Sequence, residues 1–433
     1  MIPFDKIPSA KIALLDHDQA ISYGELQKIS KKYQQRIQKL SEPVVFLPMK
    51  PQLETIYKLI GCILAKKIFV PLSSENTLEY ARKLSREFST SILWGREFVY
   101  FQSDRPPLIF PEDTLFIGFT SGTTGERKGF IRNQISWLES FKIFHSIPVF
   151  QPKKYVTCLT PLHYSLGLYV LLQTLCSGQT FLVGVKKLTD PLLTSTILNN
   201  LQLFSVPTVF QHGLEEVEQE KHGNFDIILG GETVTLTQRK KIVAKCPQAR
   251  LFDFYGASET SFISYNYQPF PDEHCVGKTF PKVKVTLQDE GDGVGEIVVE
   301  SPINFQGYLK KGKIYPPQNA IATGDLGSYT GELYYYGRKD ERINRKGEKI
   351  FPLQIEKLLR KLPQIQDTVV YGRPDEKLGE RVIAEIVWQD QPLSLAEVNQ
   401  FIAKTAYSKG KIDTILTVNL LAYGDSGKKL NKL

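Results

Sequence analysis

The feature that most constrains this fold is the regular return of short apolar segments along the first half of the chain. Five of them, rich in Val, Ile and Phe, alternate with longer stretches of helical pattern: VVFLP (44–48), IFVPL (68–72), LFIGF (115–119), FLVGV (181–185) and IILGG (227–231). Continuous apolar runs of this length are typical of strands in parallel sheets covered by helices. The pattern therefore predicts an α/β architecture with mainly parallel, buried sheets. Between two of these runs, residues 166–176 are expected to form a buried helix that ends before Gly178.

The pattern changes twice towards the C-terminus. After Gly291, the segments VGEIVVES and GELYYYGR indicate antiparallel strands of a small β unit. A charged connector, KDERINRKGEK, then precedes a pattern of helix, strand, strand and a helix with a capping box at Ser394 and Glu397. We therefore predict a large N-terminal domain, residues 1–338, and a mobile small α+β C-terminal domain, residues 339–433, since a polar joint between folded units permits relative motion.

Composition excludes several classes of protein. The chain has 433 residues, 42% of them hydrophobic, and a formal net charge of +8, which excludes a disordered or fibrous protein and favours small polyanions over nucleic acid as partners. The five cysteines form no close pairs, so neither a disulfide framework nor a zinc site is expected. The N-terminus lacks the apolar core of a secretory signal, and the longest apolar stretch falls short of the roughly 20 residues of a membrane span. We expect a cytoplasmic protein without a membrane span.

The strongest local motif is FTSGTTGERKG, residues 119–129, which follows an apolar strand. Its glycines let the backbone approach a ligand closely, its hydroxyl groups are hydrogen-bond donors, and Lys128 adds a positive charge. It is not a Walker A loop, because no hydroxyl residue follows the lysine and Gly129. The motif predicts a phosphate-binding loop, with a flexible surface turn as the alternative.

This motif resembles the phosphate loop of the adenylate-forming superfamily, which contains acyl-CoA ligases, adenylation domains of nonribosomal peptide synthesis and luciferases. Further matching segments follow in the family's order: ISYGEL (21–26), PLHYSLGL (161–168), GGE (230–232), YGASET (255–260), VGEIVVES (294–301), FQGYL (305–309), TGDL (323–326), GRKDERINRKGEKIFPLQIE (337–356) and SGKKLNKL (426–433). Because the ordered set extends over almost the whole chain, chance is a poor explanation. The chain is identified as a member of this superfamily.

The resemblance implies ATP and Mg²⁺ as ligands. The implied nucleotide-binding residues are Thr120, Ser121, Gly122, Thr123, Thr124, Lys128, Gly231, Glu232, Tyr255 and Gly256. Within this set Tyr255 would stack on adenine. Ser258 would meet the α-phosphate, and Glu259 would ligate Mg²⁺, which a single carboxylate can do when phosphate oxygens complete the coordination. A helix-capping acid is the alternative for Glu259.

The resemblance also assigns residues nearer the C-terminus. Asp325 would accept hydrogen bonds from the ribose hydroxyls, assisted by Arg338. Lys428 would stabilise the charge that develops between the acid and the α-phosphorus, although position alone suggests a solvated tail lysine. Asp340 would be the hinge of the small domain, and Gly347 would line the tunnel for the pantetheine arm of coenzyme A. The basic residues near Gly347 would meet the phosphates of coenzyme A or form a solvated charge run: Arg345, Lys346 and Lys349.

The sequence departs from the family pattern at three places. Arg127 replaces the usual proline before the lysine of the phosphate loop. Tyr164 stands where many acyl-CoA ligases have histidine, so His163 could equally be a hydrogen-bonded core residue. Ser165 stands where amino-acid-activating members have aspartate, and residues 157–181 contain no acid at all. An unpaired ammonium would be costly to bury, which disfavours an α-amino acid substrate.

The expected acid pocket therefore contains Tyr164, Ser165 and Gly167 and takes an apolar or aromatic carboxylic acid. The neighbouring apolar residues would line this pocket or form the helix core: Leu166, Leu168, Tyr169 and Leu172. Chain length of the acid stays open.

The leading hypothesis is an AMP-forming acid–CoA ligase, similar to compact bacterial enzymes described as long-chain fatty acid or succinylbenzoate CoA ligases. Two alternatives are transfer of the acyl group to a carrier-protein phosphopantetheine and a non-catalytic nucleotide-binding regulator. A homodimer is left open. Residues 339–433 contain 17 basic and 13 acidic residues, so half of the net charge lies in the domain expected to meet coenzyme A.

Overall fold

The secondary structure alternates strands and helices in the first half of the chain and is mostly β in the second. A computed structural model describes residues 1–75, 78–85, 90–94, 97–101, 108–120, 128–218, 220–272, 274–289, 293–405 and 407–421. The strands are β1 Ile12–Leu15, β2 Ala20–Ser22, β3 Val44–Met49, β4 Ile68–Ser73, β5 Thr90–Trp94, β6 Glu97–Phe101, β7 Thr114–Thr120, β8 Lys128–Asn133, β9 Tyr155–Cys158, β10 Thr180–Leu182, β11 Leu201–Ser205, β12 Asp226–Gly230, β13 Arg250–Ala257, β14 Ser261–Asn266, β15 Cys275–Thr279, β16 Lys284–Asp289, β17 Gly295–Glu300, β18 Gly307–Lys310, β19 Lys313–Tyr315, β20 Ala320–Tyr329, β21 Leu333–Arg338, β22 Ile343–Arg345, β23 Glu348–Ile350, β24 Ile365–Asp375, β25 Gly379–Trp388 and β26 Thr414–Thr417. The helices are α1 Tyr23–Ile37, α2 Leu53–Leu64, α3 Leu78–Ser85, α4 Gln134–Ser146, α5 Ser165–Cys176, α6 Ser195–Leu198, α7 Pro207–Glu215, α8 Leu236–Lys245, α9 Pro352–Leu359 and α10 Leu395–Ala403.

The chain packs as two compact units, each built from several stretches of sequence. The first unit comprises Met1–Pro269, Phe280–Lys284 and Glu300–Ile321. The second comprises Phe270–Thr279, Val285–Val299 and Ala322–Leu433. The division into an N-terminal domain, residues 1–338, and a C-terminal domain, residues 339–433, stays a prediction.

One sheet of the first unit has the order β14-β13-β12-β11-β9-β10-β1-β2. The six strands from β13 to β1 run parallel to one another, while β14 and β2 pair antiparallel at the two ends. Strands β11 and β12 are buried along their whole length. The run IILGG accordingly forms β12. The run FLVGV forms a shorter strand than its pattern predicts, because β10 ends at Leu182, just before Gly184 takes a left-handed φ of 82°.

The other sheet of the first unit has the order β19-β18-β8-β7-β4-β3-β5-β6. Its centre, β5-β3-β4-β7, is parallel, while β7, β8, β18 and β19 pair antiparallel. Ile117, Ile131 and Leu309 pack from three of these strands into one apolar cluster with Phe46. Side chains of alternate residues on the same strands lie on the opposite face.

The second unit contains the antiparallel strands that the sequence indicates, together with the elements of the C-terminal α+β pattern. One sheet has the order β16-β17-β20-β21-β15, in which β21 pairs antiparallel with both neighbours. The other joins β23-β22-β25-β24 with β26, and its apolar core includes Ile355 of α9 and Val398 of α10. Helix α10 has the predicted capping box, in which Ser394 and Glu397 exchange hydrogen bonds. In the part of the chain that the structure describes, no helix is long and apolar enough to cross a membrane.

Candidate active site

The expected phosphate loop joins two antiparallel strands. Thr120, the last residue of β7, is paired with Lys128, the first residue of β8. The loop itself lies outside the described residues, so the roles of Ser121, Gly122, Thr123 and Thr124 stay predictions. Lys128 thus lies at the loop end of a β-hairpin whose two strands, β7 and β8, are paired in the sheet.

The YGASET segment forms a tight turn between β13 and β14. Tyr255 and Gly256 lie at the end of β13, and Gly256 is required there because a Cβ would lie 1.9 Å from the carbonyl oxygen of Ser261. Thr260 closes the turn, since its backbone N–H donates to the carbonyl of Ala257 at 3.2 Å. The turn exposes Ser258 and Glu259 partly to solvent, as residues that contact a ligand must be.

Glu259 is held through its side chain and its backbone. The hydroxyl of Tyr308 donates to Oε1 of Glu259 at 2.8 Å, and the N–H of Phe305 donates to the carbonyl of Glu259 at 2.7 Å. Among the described residues no hydrogen bond reaches Oε2 of Glu259. A carboxylate with one fixed oxygen and one available oxygen fits a Mg²⁺ ligand, because Mg²⁺ prefers hard oxygen donors and takes its remaining ligands from phosphate and water.

A buried arginine that the sequence reasoning missed lies beneath this turn. Arg132 is 1% exposed, and its guanidinium donates to the carbonyls of Ser258, Glu259 and Ile303 at 3.4, 3.2 and 2.9 Å. It also contacts the hydroxyl of Ser261. Burial lowers the pKa of Arg132, and the charge of Glu259 opposes that effect. The signal in the sequence is a charged residue inside the apolar strand that follows the phosphate loop.

The expected acid pocket begins at the N-terminus of α5. The hydroxyl oxygens of Ser165 and Ser258 are 3.4 Å apart, which brings the start of this helix beside the expected α-phosphate residue. Gly167 is required for close packing, because a Cβ would lie 2.5 Å from the carbonyl oxygen of Pro161. The ring of Tyr164 contacts the ring of His163, whose pKa is lowered by burial.

The body of α5 packs into the interior. Leu168 and Leu172 are 0% exposed, which favours the core alternative for these two residues. The ring of Tyr169 packs edge-on against Trp137, Phe141 and Phe262 at centroid distances of 5.4, 4.9 and 4.9 Å. Leu166, at the first turn of the helix, is only half-buried and remains available to a ligand.

The GGE segment lies where β12 ends. Gly231 has a left-handed φ of 87°, which a side chain would disfavour. Oε2 of Glu232 accepts a hydrogen bond from the N–H of Thr208 at 3.1 Å, in the first turn of α7, while Oε1 is buried without a hydrogen-bond partner among the described residues. The carboxylate therefore stabilises a helix N-terminus. Its expected contact with nucleotide stays a prediction.

The expected ribose residues lie in the second unit. Asp325 and Arg338 are directly opposite in the hairpin β20–β21, and Nη1 of Arg338 donates to Oδ1 of Asp325 at 3.0 Å. Nε of Arg338 is 3.5 Å from the expected hinge residue Asp340. Burial disfavours the charge of Arg338, but the two carboxylates outweigh it and raise the pKa. The arginine thus links the residue expected to bind ribose with the residue expected to form the hinge.

The region expected to meet coenzyme A is partly occupied by internal contacts. Arg345 forms a two-point ion pair with Asp413, at 2.9 and 2.7 Å, so its guanidinium is engaged within the unit. Gly347 has a φ of 83°, and a Cβ there would meet no atom within 4 Å. Within this unit, glycine is therefore favoured at position 347 by its positive φ and not by a lack of space for a side chain. Lys428 lies outside the described residues, and its role stays a prediction.

Comparison with known proteins gives consistent matches. A family model described as AMP-binding enzyme matches residues 87–309, and a model of the AMP-binding enzyme C-terminal domain matches residues 354–428. A protein of Staphylococcus epidermidis provisionally named long chain fatty acid-CoA ligase VraA is 33% identical, over 75% of this chain and 71% of that protein. The 2-succinylbenzoate–CoA ligase of Lactococcus lactis is 27% identical over the same shares of the two chains, 75% and 71%.

A solved structure has the same fold. The o-succinylbenzoate coenzyme A synthetase of Bacillus subtilis, in complex with AMP, superposes with a TM-score of 0.81 and 21% identity, covering 98% of this chain and 95% of that one. The predicted α/β fold with a large N-terminal part and a smaller C-terminal part is thereby confirmed.

Proposed function

This chain belongs to the AMP-binding enzyme family, and we propose that, as an acid–CoA ligase of that family, it activates an apolar or aromatic carboxylic acid. In the first step a carboxylate oxygen of the acid attacks the α-phosphorus of ATP, which gives an acyl adenylate and pyrophosphate. In the second step the sulfur of coenzyme A attacks the acyl carbon, AMP leaves, and the thiol proton passes to solvent.

The observation that carries the proposed substrate class is the neutral character of the N-terminus of α5. Ser165, whose hydroxyl is 3.4 Å from that of Ser258, stands where amino-acid-activating relatives have a carboxylate. The first turn of α5 contains no acidic residue. A substrate ammonium beside it would be left without a counter-charge, which is costly in a partly buried site. An acid without an α-amino group has no such cost.

The residues of the first unit would stabilise the adenylation step. Ser258 would donate a hydrogen bond to an α-phosphate oxygen, and Tyr255 would stack on adenine. Glu259 would hold Mg²⁺, which when bound neutralises part of the triphosphate charge. Lys128, with the hydroxyl groups of the loop that precedes it, would bind the phosphate oxygens.

Residues of the second unit would contribute binding and charge stabilisation. Asp325, with one oxygen engaged by Arg338, would accept hydrogen bonds from the ribose hydroxyls. Lys428 would act by electrostatics on the charge that develops as the acid attacks phosphorus, since an ammonium needs no proton transfer to do so. The acceptor thiol would enter past Gly347.

Pyrophosphate exchange tests the first half of the proposal. Purified enzyme with ATP, Mg²⁺ and labelled pyrophosphate should incorporate label into ATP only when a suitable acid is present. The panel should contain fatty acids of several lengths, 2-succinylbenzoate, other aromatic acids and α-amino acids. We expect exchange with members of the first three groups and none with α-amino acids, and loss of exchange in Lys428→Ala. Exchange with α-amino acids alone would refute the proposed substrate class.

Thioester formation tests the second half. The acid that gives the fastest exchange is incubated with ATP, Mg²⁺ and coenzyme A, and the products are separated by chromatography with mass detection. Acyl-CoA and AMP should appear in equal amounts. Exchange without any acyl-CoA would leave the adenylation intact and refute the ligase step.

A further inference from the structure

Two residues outside the expected ATP-binding set share a face of the sheet that carries the phosphate loop. Arg132 lies on β8, the strand that leaves the loop, four positions after Lys128. Tyr308 lies on β18, directly opposite Phe130 in the antiparallel pair β8–β18. Because side chains alternate along a strand and opposed residues share a face, Lys128, Arg132 and Tyr308 lie on one side of this sheet. Ile131 and Leu309 lie on the other, in the apolar core.

Arg132 fixes the backbone of the Ser258–Glu259 turn. Its guanidinium donates to the carbonyls of both turn residues and to that of Ile303, and it is 1% exposed. Guanidinium nitrogens have a rigid planar arrangement, so several simultaneous hydrogen bonds define the position of the acceptors closely. The turn is thereby tied to the strand that leaves the phosphate loop.

Tyr308 fixes the side chain that the turn presents. Its hydroxyl donates to Oε1 of Glu259 at 2.8 Å. The ring is itself positioned, since it packs edge-on against Phe305 at 4.7 Å and the ammonium of Lys310 lies 4.8 Å from its centroid. A phenol hydroxyl is a neutral donor, so this hydrogen bond brings no positive charge to the carboxylate. Oε1 is oriented, and Oε2 accepts no hydrogen bond from the described residues.

We propose that Tyr308 is a positioning residue, which orients the Glu259 carboxylate towards the metal ion of the metal–nucleotide substrate, while Arg132 holds the backbone of the same turn. The inference rests on the proposed role of Glu259 as the metal ligand. Partners that hydrogen-bond to a ligating group fix its orientation, and their loss weakens metal binding without removing the ligand.

Tyr308→Phe tests this assignment, because it removes one hydroxyl and keeps the ring that packs against Phe305. Tyr315→Phe is the matched control: Tyr315 lies opposite Tyr308 on β19 and is 48% exposed. Binding of Mn²⁺ in the presence of α,β-methylene-ATP, which cannot form an adenylate, is measured from the EPR signal of the free ion. Nucleotide binding without metal is measured separately in EDTA.

We expect the Kd for Mn²⁺ to rise about tenfold in Tyr308→Phe and to be unchanged in Tyr315→Phe. Nucleotide binding in EDTA should be equal in all three proteins. An unchanged Kd for Mn²⁺ in Tyr308→Phe would overturn the inference, and so would an equal loss in both variants, which would indicate a general disturbance of the β18–β19 hairpin.

The result of the Mn²⁺ binding experiment can be distinguished from the result of the exchange assay that tests the proposed function. Normal acid-dependent exchange together with unchanged Mn²⁺ binding in Tyr308→Phe would leave the ligase proposal standing and remove the positioning role. Weaker Mn²⁺ binding in Tyr308→Phe without exchange for any acid would support the positioning role and refute the ligase proposal.

Discussion

Two carboxylates that are expected to bind different parts of ATP are held by chemically different partners. In the first unit, Glu259 accepts a hydrogen bond from the neutral hydroxyl of Tyr308 at 2.8 Å. In the second, Asp325 accepts one from the guanidinium of Arg338 at 3.0 Å. The donor to the Glu259 carboxylate is thus uncharged, whereas the donor to the Asp325 carboxylate carries a positive charge. Glu259 is therefore suited to a cation and Asp325 to uncharged hydroxyl groups.

The two carboxylates also differ in how far along the sequence their hydrogen-bond partners lie. Asp325 and Arg338 are 13 residues apart and face each other within one hairpin. Glu259 and Tyr308 are 49 residues apart, and Arg132 is 127 residues from the carbonyl of Glu259 that it binds. The turn that carries Glu259 thus depends on the assembly of a sheet from distant strands, while the Asp325 pair needs only one correct turn.

The largest effect is expected from Glu259→Gln, which removes the charge but keeps an acceptor for Tyr308. In the pyrophosphate exchange assay, kcat/KM for MgATP should fall about 1000-fold, or about 4 kcal/mol, because the metal loses its only charged ligand among the assigned residues. Glu216→Gln, in an exposed pair with Lys187, is the control and should be unchanged. A loss of less than about tenfold would mean that Glu259 is not the metal ligand.

Arg132→Met should lower stability by about 3 kcal/mol, because the buried carbonyl of Ile303 and the partly buried carbonyls of Ser258 and Glu259 each lose a hydrogen bond from the guanidinium. Urea unfolding measures the change, and hydrogen exchange should show the loss around Ser258–Ser261. Lys142→Met, which removes an exposed pair with Glu139, should cause little change. If stability stays unchanged, Arg132 does not support the turn.

Asp325→Asn should raise the KM for ATP about 30-fold, or about 2 kcal/mol, since the amide keeps one acceptor for Arg338 but loses charge-assisted bonds to hydroxyl groups. Measuring KM for both ATP and 2′-deoxy-ATP tests whether Asp325 contacts the 2′-hydroxyl of the ribose. The wild type should prefer ATP, and the variant should lose most of that preference. A variant that keeps the full preference would show that Asp325 does not contact the 2′-hydroxyl.

The smallest effect is on folding stability and concerns proton binding by His274 in the second unit. Burial, with the nearby charges of Lys357 and Lys361, lowers the pKa of His274 on the segment before β15 to about 3, and Nζ of Lys357 is 3.1 Å from its Nδ1. An unfolded histidine titrates near 6.5, so between these two values the unfolded chain binds more protons and stability falls as pH falls.

Between pH 7 and pH 5 the wild type should therefore lose about 2 kcal/mol more than His274→Asn, which offers Lys357 an acceptor that does not titrate. Urea unfolding at the two pH values measures the difference. Equal losses in both proteins would contradict the lowered pKa of His274.

Much of the fold was accessible from local patterns. Four of the five apolar runs form strands at the predicted places, and α5 begins one residue before its predicted start. The capping box of α10 is present because it involves residues only three positions apart. The exception, β10, is shortened by the positive φ of Gly184, a backbone conformation that an apolar run does not reveal.

The hydrogen-bond and ion-pair partners of the candidate site residues could not be predicted from the sequence as well as the fold could. The ion pair of Arg345 with Asp413 joins residues 68 positions apart, so the sequence alone could not decide between a phosphate ligand and an internal partner. The carboxylate of Glu232 binds the start of α7, which depends on how β12 and α7 pack. In each case the side chain's partner is supplied by a distant segment.

By itself the sequence determined which reactive groups this protein has and in what order, because motifs such as YGASET and TGDL depend only on neighbouring residues. The tertiary structure alone decided the partner of each group. Antiparallel pairing of β8 with β18 brings Arg132 and Tyr308 to one face, where a buried guanidinium holds the turn and a neutral hydroxyl orients Glu259. Since charge and orientation depend on such partners, the same carboxylate chemistry is suited to a metal at Glu259 and to a sugar at Asp325.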